Sequence, residues 1–357
     1  MDIRQLRIRH LRLIESLDLE LGSGWSLFTG PNGAGKTSLL EAAFLLSHAR
    51  SFRTAGRDAL ASHGHAGYSV FGVMDEAGRL FRAGLARERG RFEARLDGEA
   101  VNASELLQRV AVVCFEPGSH ALIAGAAEER RRFLDWGVFH VEPGFLALWR
   151  RYQRALRQRN ALLRAGAPVA DLVPWDAELA AAADPLSGMR AAYMDALSPH
   201  LIAVAAELLV ELGPVELHFD AGYDTVVGLQ AVLAGRRERD LGRGHTGAGP
   251  HRADWAVRFG VNRREHLSRG QEKLCAFACL LAQVRLFHAV RGDWPVLCLD
   301  DLASELDPEH QVRVIATTDA IGSQILATGT VAPIGLDALR RPLSRFHVEQ
   351  GRVHSLL

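Results

Sequence analysis

A glycine-rich segment near the amino terminus has the residue types and spacing of a phosphate-binding loop. Residues 30–37 read GPNGAGKT, between an apolar strand-like WSLFT and an apolar helix-like SLLEAAFLL. In such a loop, backbone N–H groups surround a phosphate, the lysine reaches the β- and γ-phosphates and the threonine hydroxyl meets Mg²⁺. The residues predicted to bind a nucleoside triphosphate with Mg²⁺ are Gly30, Pro31, Asn32, Gly33, Ala34, Gly35, Lys36, Thr37 and Ser38. A glycine-rich turn without a ligand is the alternative.

Two neighbouring carboxylates end an apolar segment, VLCLDD, at residues 296–301. In phosphate-loop proteins an aspartate at the end of a strand holds Mg²⁺, and we assign that role to Asp300, directly or through water. Asp301 would then polarise the attacking water. Alternatively, one aspartate caps a helix predicted to begin at LASELD, which would explain one of the two residues but not both.

A second anion site is indicated where LSRGQ, residues 267–271, precedes the apolar segment EKLCAFACLLAQVRLF. The start of a helix carries unpaired N–H groups and partial positive charge, so it suits an anion. Alternatively, Ser268 simply caps an ordinary helix. Lys273 in the first turn opposes the helix dipole, and it would face either a phosphate or DNA. Lysine occurs at only one other position, Lys36, among the 42 lysines and arginines.

The pattern of elements along the chain predicts an α/β fold with a mainly helical insert. Alternating apolar residues indicate strands in 3–28 and 68–113, whereas 119–215 has helical periodicity interrupted by prolines. Residues 235–252 are rich in Gly, Arg and His and are typical of a linker or long loop. We therefore predict an ATPase-type domain from residues 1–118 and 250–357, with an inserted helical domain at 119–249.

Composition excludes some classes of protein and leaves others open. The formal net charge is zero, so a nucleic-acid partner cannot be inferred from total charge. The four cysteines lack metal-site spacing and suit a reduced compartment. The first residues are too charged for a signal peptide, and no run approaches the roughly 18 apolar residues of a membrane span. These features favour a cytoplasmic location without a membrane partner.

Taken together, GPNGAGKT, LSRGQ, LDD and SELD resemble the motifs of ATP-binding-cassette (ABC) ATPases. The resemblance implies an ABC-type head with a mixed sheet and flanking helices, in which two cassettes pack head to tail around ATP. Ser268, Gly270 and Gln271 would then cap the γ-phosphate of a nucleotide held by a second copy. One phosphate loop and one signature per chain therefore imply a homodimer in the ATP state.

Two departures from the cassette pattern imply slow hydrolysis. Asp301 stands where the family usually has a glutamate, and it is one methylene shorter. Thr328 and Thr330, in ATGT, stand where the family has its switch histidine. The resemblance thus implies that Asp301 and Lys36 support a weak ATPase that works as a switch.

The resemblance narrows to the RecF family of bacterial recombination-repair ATPases. The resemblance extends beyond the nucleotide motifs and spans nearly the whole chain. It rests there on the segments IRHLRLIESLDLEL, ARSFRT, RRFLDWGVFH and GPHRAD. It implies dimerisation on DNA, at gaps or at junctions of single and double strands, and DNA-stimulated ATPase activity. It also implies partnership with RecR, and with RecO in loading RecA, together with support of replication forks and of the SOS response.

Arginines in the predicted insert are candidates for DNA contact. Residues 143–170 contain six arginines and no acidic residue. At helical spacing, Arg150, Arg154, Arg157 and Arg164 share one face and could follow phosphates. The alternative is a solvated helix face. Arg53, in SFRT, could reach either the nucleotide or DNA.

Two further functions use the same motifs. The nucleotide-binding subunit of a membrane transporter would share them, but it would leave the arginine-bearing insert unexplained. A small-molecule kinase would use the phosphate loop, but it would give LSRGQ no role.

Overall fold

The computed structural model describes residues 1–53, 57–260 and 267–356. In chain order, the strands are β1 (Asp2–Leu11), β2 (Ile14–Glu20), β3 (Trp25–Thr29), β4 (Gly67–Glu76), β5 (Arg79–Glu88), β6 (Arg91–Leu96), β7 (Glu99–Val101), β8 (Val112–Phe115), β9 (Val215–Asp220), β10 (Asp254–Phe259), β11 (Val296–Leu299), β12 (Ile325–Gly329), β13 (Leu343–Glu349) and β14 (Arg352–Leu356). The helices are α1 (Lys36–His48), α2 (Ala103–Arg109), α3 (Ala121–Ala124), α4 (Ala127–Val141), α5 (Phe145–Arg164), α6 (Val169–Leu208), α7 (Leu229–Ala234), α8 (Arg237–Arg243), α9 (Arg269–Arg291), α10 (Leu302–Glu305) and α11 (Pro308–Asp319).

The chain divides into two units. The first, which we call the head unit, combines residues 1–119, 207–210 and 269–357. The second, which we call the inserted unit, combines 120–206 and 211–268. Residues 250–268 thus belong with the insert, beyond position 249 where the sequence predicted its end. The reason is that β10 pairs with β9 along its whole length, from Asp254 opposite Asp220 to Phe259 opposite Val215.

A mixed sheet in the head unit has the strand order β14-β13-β3-β12-β11-β8. The pairs β3–β12, β3–β13, β11–β12 and β8–β11 are parallel, and only β14 runs antiparallel to its neighbour. Strands β11 and β12 are buried at every position, as expected for parallel strands covered on both faces. Because the carboxyl ends of parallel strands meet at one edge, the segments after β3, β11 and β12 lie side by side.

An antiparallel sheet in the same unit has the order β2-β1-β4-β5-β6-β7. In β1, Ile3, Leu6 and Ile8 are buried, and in β4 Val70 and Met74 are buried. This sheet comes from the first 101 residues, in agreement with the alternation that predicted strands there.

The inserted unit is mostly helical, and its longest helix differs from the sequence prediction. Helix α6 runs for 40 residues and contains Pro174, Pro185 and Pro199, which were expected to interrupt it. A proline lacks one N–H donor but has a helical φ, so a helix that packs along its length can tolerate it. Helix α8 also lies inside the segment 235–252 that was predicted to be a linker.

Helix α9 is one described helix whose length and composition would suffice to cross a membrane. However, 67% of its most apolar 18-residue window is buried within the protein, which is typical of a core helix. Phe277 of α9 packs edge-on against Phe115 of β8, with 5.2 Å between the ring centroids.

Candidate nucleotide-binding site

The loop between β3 and α1 adopts a backbone that requires glycine. Gly33 and Gly35 have φ angles of 78° and 105°, which lie in the left-handed region. Gly30 is required for a different reason, since a Cβ atom there would lie 2.1 Å from the carbonyl oxygen of Val348 in β13. The loop therefore turns tightly against the sheet and begins α1 at Lys36, with Gly35 preceding its first turn.

The Lys36 ammonium lies over its own loop. Lys36 Nζ donates hydrogen bonds to the carbonyl oxygens of Gly30 and Pro31, each at 2.8 Å. Burial lowers the pKa of Lys36, while the charges of Asp301 and Asp300 act in the opposite direction. An anion placed in the loop would restore the favourable environment of this charge, so the lysine is ready to bind phosphate.

Thr37 and Asp300 meet at the edge of the mixed sheet. Thr37 Oγ1 donates to Asp300 Oδ1 at 3.0 Å, and Thr328 Oγ1 donates to the same oxygen at 2.6 Å. Burial raises the pKa of the Asp300 carboxyl, and the hydrogen bonds from Thr328 and Thr37 partly offset this rise. Each hydroxyl that donates its proton to Asp300 keeps lone pairs, so hard oxygen donors converge where a divalent cation could bind.

Asp301 is held in an uncommon backbone conformation, with φ at 54°. Its N–H donates both to the Thr328 carbonyl oxygen and to Thr328 Oγ1, each at 3.1 Å. Asp301 precedes α10, yet its side chain makes no capping hydrogen bond to that helix. Asp301 Oδ1 is buried and has no hydrogen-bond partner among the described residues. The helix-cap alternative therefore does not account for this side chain.

The oxygen donors fit the cation that the phosphate loop implies. Thr37, Asp300 and Thr328 supply a cluster of hydroxyl and carboxylate oxygens, and Asp301 adds an unsatisfied buried oxygen. Such hard donors are the ligands that Mg²⁺ prefers. A fully satisfied structural network would not leave a buried carboxylate oxygen without a donor.

Thr328 is the residue whose role the sequence alone did not predict. It was noted as a replacement for a histidine, but in the structure it joins both aspartates, as donor to Asp300 and acceptor from Asp301. No local sequence pattern identifies it, because its role depends on the position of β12 between β3 and β11 in the sheet. Thr330, the other candidate at this position, is exposed.

The signature segment lies at the start of α9. Ser268 and Gly270 are exposed and Gln271 is half-buried, and the helix begins at Arg269. The apolar part of the helix follows directly, from Leu274 to Phe287. These three residues are thus at an accessible helix start, as the prediction requires, and their role in binding nucleotide remains a prediction.

Lys273 forms an ion pair within the head unit. From the sequence, we expected its side chain to face either a phosphate or DNA. Its Nζ lies 2.7 Å from Glu305 Oε2, in the segment that follows Asp301. The ion pair compensates a cation at the beginning of a helix, where the dipole disfavours positive charge.

Arg53 is exposed, and its N–H donates to Ser51 Oγ at 2.9 Å. The positive charge of Arg53 opposes the rise in the pKa of Asp300, although burial outweighs it. Contact of Arg53 with nucleotide or with DNA stays a prediction.

The candidate DNA-contacting arginines lie on α5 of the inserted unit. Arg150, Arg154, Arg157 and Arg164 are all exposed, while Tyr152, Leu156 and Arg159 on the other face are buried. Arg159 makes ion pairs with Asp176 and Asp240 at 2.7 and 2.9 Å, and all three side chains are fully buried. The helix therefore separates a structural arginine from a row of solvent-facing ones.

The family model described as the RecF/RecN/SMC N terminal domain matches residues 2–330. The DNA replication and repair protein RecF of Stenotrophomonas maltophilia (strain R551-3) is 47% identical, over 99% of this chain and 99% of that protein. The RecF protein of Pseudomonas paraeruginosa (strain DSM 24068 / PA7) is 40% identical, over 99% of this chain and 97% of its own.

The chain belongs to the RecF family. Solved structures agree on the fold. The recombination mediator protein RecF-ATP in the RecFOR pathway matches with a TM-score of 0.88 at 24% identity, covering 99% of this chain and 97% of that one. The Smc head bound to the C-winged helix domain of ScpA matches with a TM-score of 0.61 at 15% identity, covering 100% and 98%. The expected ABC-type ATPase fold of the RecF family is thereby confirmed.

Proposed function

We propose that this RecF-family protein is an ATP-dependent DNA-binding switch in recombinational repair and replication-fork maintenance. The observation that carries the proposal is the 3.0 Å contact between Thr37 of the phosphate loop and Asp300 at the end of β11. It brings together the two groups that a phosphate-loop ATPase uses to hold its cation. Full-length similarity to RecF proteins favours this function over that of a transporter subunit or a kinase.

Each residue of the site has a role in binding or hydrolysing ATP. Backbone N–H groups of the phosphate loop, except at Pro31, which has none, surround the phosphates, and Lys36 exchanges its carbonyl partners for the β- and γ-phosphate oxygens. Thr37 and Asp300 would hold Mg²⁺, which neutralises phosphate charge when bound. Asp301, whose Oδ1 has no partner among the described residues, orients and polarises the attacking water.

The second half of the site comes from a second copy of the chain. Ser268 donates its hydroxyl to the γ-phosphate, while Gly270 and Gln271 add polar contacts at the start of α9. Because each chain carries one phosphate loop and one signature segment, two nucleotides join two chains with twofold symmetry. Dimerisation is therefore ATP-dependent.

Hydrolysis in this dimer is slow and serves as a timer. The short Asp301 side chain reaches less far than a glutamate would. Thr328, in place of a histidine, already donates its proton to Asp300 at 2.6 Å. No described residue adjoining these carboxylates thus supplies an imidazole to the γ-phosphate, so we propose that DNA stimulates a weak ATPase rather than a fast one.

The inserted unit takes part in binding DNA. The exposed arginines on α5, Arg150, Arg154, Arg157 and Arg164, would follow phosphates at a gap or at a junction of single and double strands. Arg53 would contact either DNA or the nucleotide phosphates. Downstream, the ATP-bound dimer would engage RecR and, with RecO, load RecA at gaps and so support the SOS response in the cytoplasm.

Light scattering tests the proposal. We expect a monomer without nucleotide, a dimer with ATP and Mg²⁺, and stabilisation of that dimer by gapped DNA compared with blunt duplex of the same length. A protein that binds ATP tightly but stays monomeric at every concentration, with and without DNA, would exclude the shared-site mechanism.

A further inference from the structure

The segment that follows Asp301 is held from two sides within the head unit. On one side, Gln311 Nε2 donates to the carbonyl oxygens of Ala303 and Leu306, at 3.0 and 2.7 Å. On the other side, Lys273 Nζ lies 2.7 Å from Glu305 Oε2 and 3.4 Å from the Glu305 carbonyl oxygen. Residues 302–306 are therefore held between α11 and Lys273, near the start of α9.

The contacts continue to the backbone of Asp301, the residue to which we assign the attacking water. Ser304 donates both its N–H and its hydroxyl to the Asp301 carbonyl oxygen, each at 3.0 Å. Asp301 itself has a left-handed backbone and is bonded through its N–H to Thr328. A displacement at Glu305 would consequently be transmitted over one helical turn to Asp301.

Lys273 is an unusual residue for its place. It is the fifth residue of α9, just beyond the first turn, at the end of the helix where the dipole disfavours cations. Apart from Lys36, every other lysine or arginine of the chain is arginine, yet here the chain carries a compact ammonium. Its side chain is 26% exposed and that of Glu305 is 14% exposed, so the pair is shielded more than an ordinary surface ion pair.

We propose that Lys273 is a positioning residue, whose ion pair with Glu305 holds the signature end of α9 in register with the 302–306 segment and with Asp301. The inference rests on the proposed function, because it assumes that the start of α9 caps a nucleotide held by a second copy. The start of α9 contacts the nucleotide bound by the partner, whereas Asp301 acts on the nucleotide bound by its own chain. The ion pair links these two regions. Each chain would thereby coordinate the two sites of the dimer.

A charge cycle tests the pair in the full-length chain. Lys273→Met and Glu305→Gln should each raise the protein concentration for half-maximal ATP-dependent dimerisation by about tenfold, within the coupling range of contacting residues. Affinity for a fluorescent ATP analogue, measured at protein concentrations where the chain is monomeric, should stay within about twofold. The exchanged pair Lys273→Glu/Glu305→Lys should recover most of the loss, because the two residues act through their mutual attraction and not independently.

Arg313→Met supplies the control, since Arg313 forms an exposed ion pair with Glu309 on α11 in the same unit. It should leave dimerisation unchanged. If Lys273→Met fails to fold, Lys273→Gln replaces it, because glutamine also removes the charge but keeps a polar side chain.

The outcomes separate the two proposals. If the unmodified protein does not dimerise with ATP, the proposed function and this inference both fail. If it dimerises but the single variants dimerise equally well, only the inference fails. The same holds if the exchanged pair is no better than either single variant.

Discussion

Thr37 and Asp300 are 263 positions apart in the chain, and their side chains are joined by a hydrogen bond of 3.0 Å. Asp300 Oδ1 accepts a second hydrogen bond from Thr328, so among the described residues the hydrogen bonds to this buried carboxylate come from two hydroxyls. The bond brings the start of α1 to the end of β11, and this juxtaposition makes the loop a candidate catalytic site rather than a binding turn alone.

Asp300→Asn should impair cation binding without lowering the stability of the fold. An amide oxygen can still accept from Thr37 and Thr328, and the substitution removes a buried charge whose pKa is raised by desolvation. We therefore expect an unchanged or higher melting temperature at pH 7. Mg²⁺-dependent tightening of ATP binding should be lost, by about tenfold or more.

The pH dependence of Asp300 follows from the same shift. A carboxyl whose folded-state pKa is raised binds its proton more readily in the folded chain, so acid does not destabilise the fold through this group. It does remove the anionic ligand, and Mg²⁺-dependent ATP binding should weaken as pH falls towards the raised pKa. In Asp300→Asn, titration calorimetry should show no such Mg²⁺-specific decline; a decline as large as in the unmodified chain would contradict the assignment.

Gly30→Ala and Gly33→Ala form a matched pair in the loop. A Cβ at position 30 would collide with the Val348 carbonyl oxygen at 2.1 Å, and relief requires a backbone shift that we expect to cost about 3 kcal/mol. At position 33 a Cβ meets no described atom within 4 Å, so the cost is that of a left-handed alanine, about 1 kcal/mol. Chemical denaturation should rank the two; an equal or reversed order would contradict the geometry.

Lys36→Met and Ser268→Arg should complement one another. The first removes the phosphate-binding charge, and the second blocks the start of α9 that caps the partner's nucleotide. Neither homodimer therefore has a working site. In an equal mixture that pairs at random, half of the dimers carry one intact site, and about a quarter of the unmodified ATPase activity should return. Both proteins must be folded by circular dichroism; an inactive mixture would then argue against a site shared between chains.

Arg154, Arg157 and Arg164 should contribute to the salt dependence of DNA binding. If each meets one phosphate of duplex DNA, replacing all three by alanine should lower the slope of log affinity against log salt by about 3. Arg151→Ala is the control, because Arg151 on the same helix is bound to Glu178 through two nitrogens. A slope that is the same in the triple variant and the control would assign α5 a solvated face without DNA contact.

His251 should make the inserted unit sensitive to acid. Tyr152 donates its hydroxyl proton to His251 Nδ1, and His251 Nε2 faces the Thr246 carbonyl oxygen at 3.0 Å. Burial lowers the pKa of His251 to about 4, below its usual 6.5, so the unfolded chain binds the proton more readily between these values. Stability due to this group is present above pH 6.5 and is lost as pH falls, by about 2 kcal/mol between pH 7 and 5.

His251→Gln should cost about 1–2 kcal/mol at pH 7, through weaker hydrogen bonding. Because glutamine does not titrate, the free energy of unfolding of the variant should fall less than that of the parent between pH 7 and 5. Urea denaturation of the full chain at both pH values measures this, and equal losses in the variant and the parent would contradict the role of His251.

Local patterns in the sequence were sufficient for some features and insufficient for others. The phosphate loop and the VLCLDD strand are contiguous segments, so their chemistry can be predicted without knowledge of their tertiary contacts. Thr328 and the Lys273–Glu305 pair depend on strand order and on packing between distant segments, which no local pattern encodes. Helix α6 shows the opposite limit, because tertiary packing maintains a helix across prolines that would interrupt it in isolation.

The position of β3 between β12 and β13 has a consequence for synthesis on the ribosome. The strand that leads into the phosphate loop is made early, but both of its neighbours come from residues 325–349, which are synthesised after the whole inserted unit. Until then the nascent chain can complete its antiparallel sheet, but it lacks the partners that shape the loop. The loop therefore reaches its final shape only after the inserted unit, β12 and β13 have been synthesised, and the nucleotide binding that we propose would follow that step.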